Sequence, residues 1–92
     1  MTNQTESLQI EQPIRDFIAQ NLLFSDSGFT YSDDASFLQE GIIDSLGVME
    51  LVEFVQKTFG FKVEQHEVVR ENFDSVARLA TFVRRKRGAA GS

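Results

Sequence analysis

The chain contains no cysteine. Disulfides, thiolate metal sites and cysteine nucleophiles are therefore excluded, and any thiol chemistry has to come from a group added to the polypeptide. The single histidine, His66, lies in a charged segment and has no second imidazole or thiolate to complete a metal site or a triad. It reads as a surface residue. No glycine-rich cradle is present: the six glycines are scattered, and none makes a nucleotide-binding spacing followed by Lys and Ser or Thr. Asp26, Asp33 and Asp34 lack the ligand spacing of a calcium loop and read as solvated, turn-forming residues. No apolar run is long enough to span a bilayer, and the N-terminal stretch lacks the basic start and apolar segment of a secretory signal, so a soluble, cytoplasmic protein is expected. With no nucleophile, base and metal set of its own, the chain is not expected to be an enzyme.

What is present fits one small domain: 92 residues, 41% of them hydrophobic, with nine phenylalanines to fill a compact core. Net charge is −5, yet Arg84-Arg85-Lys86-Arg87 supplies four of the nine positive charges, so residues 1–83 are strongly acidic. Such a body repels nucleic acid and attracts basic protein surfaces. The basic run has no interleaved aromatics for base stacking, and it is placed in the last turn of a helix, where it offsets the C-terminal partial charge.

Periodicity predicts an all-α fold. Ile10, Ile14, Phe17 and Ile18 form one apolar face of a first helix that ends between Leu22 and Phe24. Pro13 lacks an N–H and is harmless only in a first turn, so this helix starts no earlier than about Leu8 or Gln9. Residues 25–44 lose the pattern and read as a packed loop held by Phe29, Tyr31, Phe37, Leu38, Ile42 and Ile43, with a short turn at 36–40 ended by Gly41. A second helix over 45–59 carries Val48, Leu51, Val52, Val55 and Phe59 on one side and stops at Gly60. A brief third helix is placed at 65–70. The last runs over 75–87, capped by Asp74, with Val76, Leu79, Ala80 and Val83 inward and Gly88 beyond its end. The simplest assembly is a small antiparallel four-helix bundle of three main helices and one short one, over residues 8–87, with flexible ends at 1–7 and 88–92.

Asp44-Ser45-Leu46 marks the start of the second helix. A serine there is exposed and sits where unpaired backbone N–H groups favour a phosphate. Advancing at about 3.6 residues per turn puts Leu46, Glu50, Glu53 and Lys57 opposite the buried stripe, with Met49 on the flank. That face suits docking, with apolar contacts for affinity and carboxylates for steering. An Asp-Ser pair is also an ordinary helix cap that needs no chemistry. On that reading the chain is a non-catalytic helical module that binds a protein partner through the same face.

The segment Gly41-Ile42-Ile43-Asp44-Ser45-Leu46, the long loop before it and the acidic-apolar helix after it resemble the attachment site of the acyl carrier protein family, free-standing type. The resemblance covers about residues 8–87 and includes Asn72-Phe73-Asp74-Ser75-Val76. It implies that a phosphopantetheinyl transferase, using coenzyme A and a divalent metal, joins 4′-phosphopantetheine to Ser45 Oγ. The terminal thiol then holds an acyl or aminoacyl group as a thioester, loaded by a ligase and presented to downstream biosynthetic enzymes. It further implies partner recognition by Asp44, Leu46, Met49, Glu50 and Glu53, no metal or catalytic residue, and no nucleic-acid or membrane partner; a monomer is expected. Fatty-acid carriers commonly read Gly-Ala-Asp-Ser-Leu-Asp, whereas this chain has Ile42-Ile43 before the motif, Gly47 after it and Gln56-Lys57 farther on. The form looks more like carriers of aminoacyl, peptidyl, polyketide or other specialised pathways, with fatty-acid synthesis one candidate among them. In related carriers the acyl chain is sheltered between helices; Val48, Val52, Val55 and Leu79 suit such a lining and equally describe a plain core.

Overall fold

The computed structural model describes residues 9–90, and among these it is all-helical, with no strand. Helix α1 spans Glu11–Phe17 and continues as a π turn over Ile18–Leu22; α2 spans Ser45–Phe59; a 3-10 turn occupies Gln65–Glu67; α3 is the short Arg70–Phe73; α4 runs Val76–Ala90. The expectations for residues 1–7 and for the last two residues lie outside the described part.

The elements form a small bundle because each main helix brings one apolar stripe. Ile14 from α1 and Ile18 from its π turn, Leu51 and Val55 from α2, and Val76, Leu79, Phe82 and Val83 from α4 are fully buried together. Burying one such side chain is worth about 1.5–3 kcal/mol. Pro13 falls in the first turn of α1, where its missing N–H leaves no bond unmade. Gly60 closes α2 in the left-handed region, at φ 76.

Four expectations need correction. The third helix is not one element at 65–70: Glu64 and Glu67 cap a 3-10 turn reciprocally, and α3 begins only at Arg70. The last helix does not stop at Gly88, because that glycine is not in the left-handed conformation that ends a helix, and α4 continues to Ala90. Asp74 does not cap α4. The Arg78 N–H is accepted by Ser75 Oγ at 3.0 Å, while both oxygens of Asp74 are taken by the loop. Asp33 is not a solvated turn residue: Arg15 donates to both of its oxygens, with Nε–Oδ1 at 2.7 Å.

Those two aspartates explain how the long connection stays ordered. Ser36 Oγ donates to Asp74 Oδ2 at 2.6 Å and the Leu38 N–H to Oδ1 at 3.1 Å, while the Phe37 N–H reaches the Asp74 carbonyl at 2.8 Å. The Asp33 carbonyl accepts from the Ala77 N–H at 2.9 Å. Phe37, only 1% exposed, is the loop's plug in the core. The basic run is likewise used within the fold: Arg84 pairs with Glu11 at 2.8 Å, Lys86 with Glu67 at 2.9 Å, and Arg85 donates to Asn72 at 3.0 Å.

Candidate functional site

The end of the loop is built to hold the first turn of α2. Gly41 turns the chain at φ 66, and the Ile42 N–H then donates to the Phe37 carbonyl at 2.8 Å. Ile42 and Ile43 are buried and act as anchors. Against Ile43 the helix packs so closely that a Cβ on Gly47 would lie 2.5 Å from Ile43 Cγ2. This contact leaves no room for a side chain at position 47.

Asp44 is the N-cap. Its backbone is extended, its carboxylate accepts from the Gly47 N–H at 2.8 Å, and its carbonyl accepts from the Val48 N–H at 3.0 Å. Ser45 is thereby relieved of capping. It is exposed, and among the described residues its hydroxyl has no hydrogen-bond partner. A serine serving only to cap the helix would occupy the place that Asp44 holds.

The predicted face is present. Leu46 is 71% and Met49 56% exposed, and Asp44, Glu50, Glu53 and Lys57 are exposed as well. On the other side of Ser45 an apolar cleft of about 240 Å³ separates α2 from α3, lined by Leu38, Ile43, Val48, Val69 and Phe73. Of the four aliphatics named for a lining, Val48 alone borders this cleft; Val55 and Leu79 are fully buried core. Arg70 and Asp74 stand at its polar end, 3.6 Å apart. Burial pushes the Asp74 carboxyl up, but the hydrogen bonds from Ser36 and Leu38 and the charges of Arg70 and Arg78 outweigh it and hold the group below the ordinary range.

Sequence reasoning missed Leu38, Val69, Arg70 and Phe24 as neighbours of the site. All four lie outside the two long helices, where no period places a side chain. His66 is exposed on the 3-10 turn. Among the described residues no cluster of three or more His, Cys, Asp or Glu is placed to hold a metal, and no helix is long and apolar enough to cross a membrane.

An exposed, unpartnered hydroxyl on the first turn of a helix fits a phosphate-linked group, because the N–H groups there lack intrahelical acceptors and the helix dipole favours negative charge. The adjoining apolar cleft gives such a group a surface to lie on. Comparison with known proteins agrees in kind. Residues 12–83 match the family model described as phosphopantetheine attachment site. Over 53 residues, 58% of this chain and 67% of the relative, the sequence is 32% identical to a D-alanyl carrier protein of Abiotrophia defectiva.

Proposed function

The chain belongs to the phosphopantetheine attachment-site family, a family of carriers whose prosthetic group is 4′-phosphopantetheine, and on that premise we propose that Ser45 Oγ is the attachment atom. The observation that carries this reading is the division of labour at the head of α2: Asp44 caps the helix and leaves the neighbouring hydroxyl exposed and unengaged. The arm supplies, when attached, the thiol that this cysteine-free chain lacks, on which an acyl or aminoacyl cargo rides as a thioester.

The chain's own residues do the rest. Ile42, Ile43 and Gly47 fix the first turn of α2 on the core so that Ser45 stands at a rigid edge. Asp44, Leu46, Met49, Glu50 and Glu53 form the recognition face for a phosphopantetheinyl transferase, a loading ligase and the biosynthetic enzymes that follow, with carboxylates that speed encounter with basic surfaces. No residue here performs a bond-breaking step, so the domain at residues 8–87 presents cargo without being an enzyme, as a monomer in the cytoplasm. The cargo belongs to a specialised pathway rather than to long-chain lipid synthesis. Gln56 and Lys57 make α2 less acidic than in fatty-acid carriers, the interior is filled by Phe37, Phe82 and Leu79, and the relative's name points to a small aminoacyl group.

Incubation with coenzyme A, magnesium and a broad-specificity phosphopantetheinyl transferase, read by intact mass, tests the proposal. Wild type is expected to gain one arm and Ser45→Ala none. A wild type that stays bare would instead favour a helical interaction module.

A further inference from the structure

Phe24 ends the first helix at φ 52, and among the described residues no other non-glycine has a positive φ. The Leu23 N–H donates to the Ile18 carbonyl at 2.9 Å and the Ser25 N–H to that of Ala19 at 2.8 Å, a left-handed helix stop of the kind that glycine or asparagine makes without strain. A phenylalanine there is a poor backbone choice. Nor does burial compensate, since the ring is 79% exposed while the preceding Leu22 and Leu23 pack against the core. A strained residue that the fold does not need suggests another use.

Its surroundings suggest which. Phe24 and Leu46 line one open depression of about 410 Å³ together with Asn21, Gly41, Asp44 and Glu50. This hollow adjoins the apolar cleft, sharing Ile43 and Asp44 with it. Two protruding apolar side chains thus share a hollow with Asp44, which with Leu46 flanks the candidate attachment serine in the chain, and the lining contains two carboxylates and no cation among the described residues. Exposed apolar groups rimmed by one sign of charge mark a contact surface, and here the complementary rim is basic.

We propose that Phe24 and Leu46 together enter an apolar, basic-rimmed socket on the phosphopantetheinyl transferase, making the end of α1 a second recognition element beside α2. This rests on the carrier reading of Ser45. Phe24 acts through docking and is not a catalytic residue.

The test uses Phe24→Gly in the full chain, with thermal midpoint and transferase kinetics (coenzyme A, magnesium, varied carrier) measured on the same preparation. Glycine suits the left-handed φ, so the variant is expected to melt no lower than wild type while its kcat/KM for loading falls roughly tenfold, mainly through KM, as for a buried aromatic anchor. Leu46→Ala is expected to lower kcat/KM as well, and the double variant to lose less than the product of the two, as residues sharing one socket do. Wild-type loading kinetics in Phe24→Gly would overturn the docking role while leaving Ser45 intact as the attachment site. A lowered melting point would overturn it by making the ring structural, and a Phe24-dependent dimer in sedimentation would assign the ring to a second copy of the chain. A wild type that is never loaded overturns the Ser45 reading and this proposal with it.

Discussion

Replacing Asp74 by alanine is expected to unpin the loop that leads to Ser45. The carboxylate accepts from Ser36 Oγ at 2.6 Å and from the Leu38 N–H at 3.1 Å, and it is 8% exposed, so water cannot replace both bonds. Hydrogen bonds to a charged group are worth about 1.5–3 kcal/mol each. The two share one acceptor and the loop relaxes when it is removed, so the combined loss is set at about 3 kcal/mol rather than at the sum. For a domain of this size that is on the order of 15 °C in Tm. Asp74→Asn keeps an acceptor for Leu38 and is expected to lose about half as much. The pH dependence follows from the depressed carboxyl. Its folded pKa lies below an unfolded value of about 3.9, so its contribution is complete above that value and is lost as pH falls through the lower folded one. Thermal and urea melts by circular dichroism, run from neutral pH into acid, should show the wild-type and Asn curves far apart at pH 7 and converging below about pH 4. A loss under about 1 kcal/mol in the alanine variant, or a wild-type to Asn gap that stays constant through acid, would refute the staple.

Gly47→Ala should cost about 1–3 kcal/mol in urea melts, because the new methyl meets a β-branched side chain at 2.5 Å and Ile43 is buried and cannot swing away. Equal stability would show that the contact is soft. Glu50→Lys or Glu53→Lys should slow transferase loading more at low salt than at high salt, since both carboxylates are exposed and screened. The same slowing at both salt concentrations would rule out steering.

The parts of the fold legible in the sequence are those with a period. The stripe Val48, Leu51, Val52 and Val55 fixed the orientation of α2, and therefore placed Leu46, Glu50 and Glu53 outward without a structure. Ser45 followed from its place before that stripe. The connection had no such ruler: Phe37 is buried and Leu38 beside it is 61% exposed, a difference set by Asp74 far along the chain. The same long-range demand explains the capping error, because Asp74 and Ser75 are both good caps and only the loop's need for a carboxylate decides between them. The periodicity ends the first helix between Leu22 and Phe24, and Phe24 lies just beyond its cap, but its exposure beside Leu46 depends on how that end meets the start of α2. The π turn that precedes it leaves no mark on the apolar period of Ile10, Ile14, Phe17 and Ile18.

The most direct measurement is fragmentation mass spectrometry of the peptide spanning the loop and the start of α2, taken from the chain after loading by a phosphopantetheinyl transferase. That segment offers Ser25, Ser27, Ser32 and Ser36 as competing hydroxyls. The arm is expected on Ser45 alone, with Ser36 unmodified because its hydroxyl is engaged by Asp74. An arm on Ser36 or any other serine, or none on Ser45, would contradict the account.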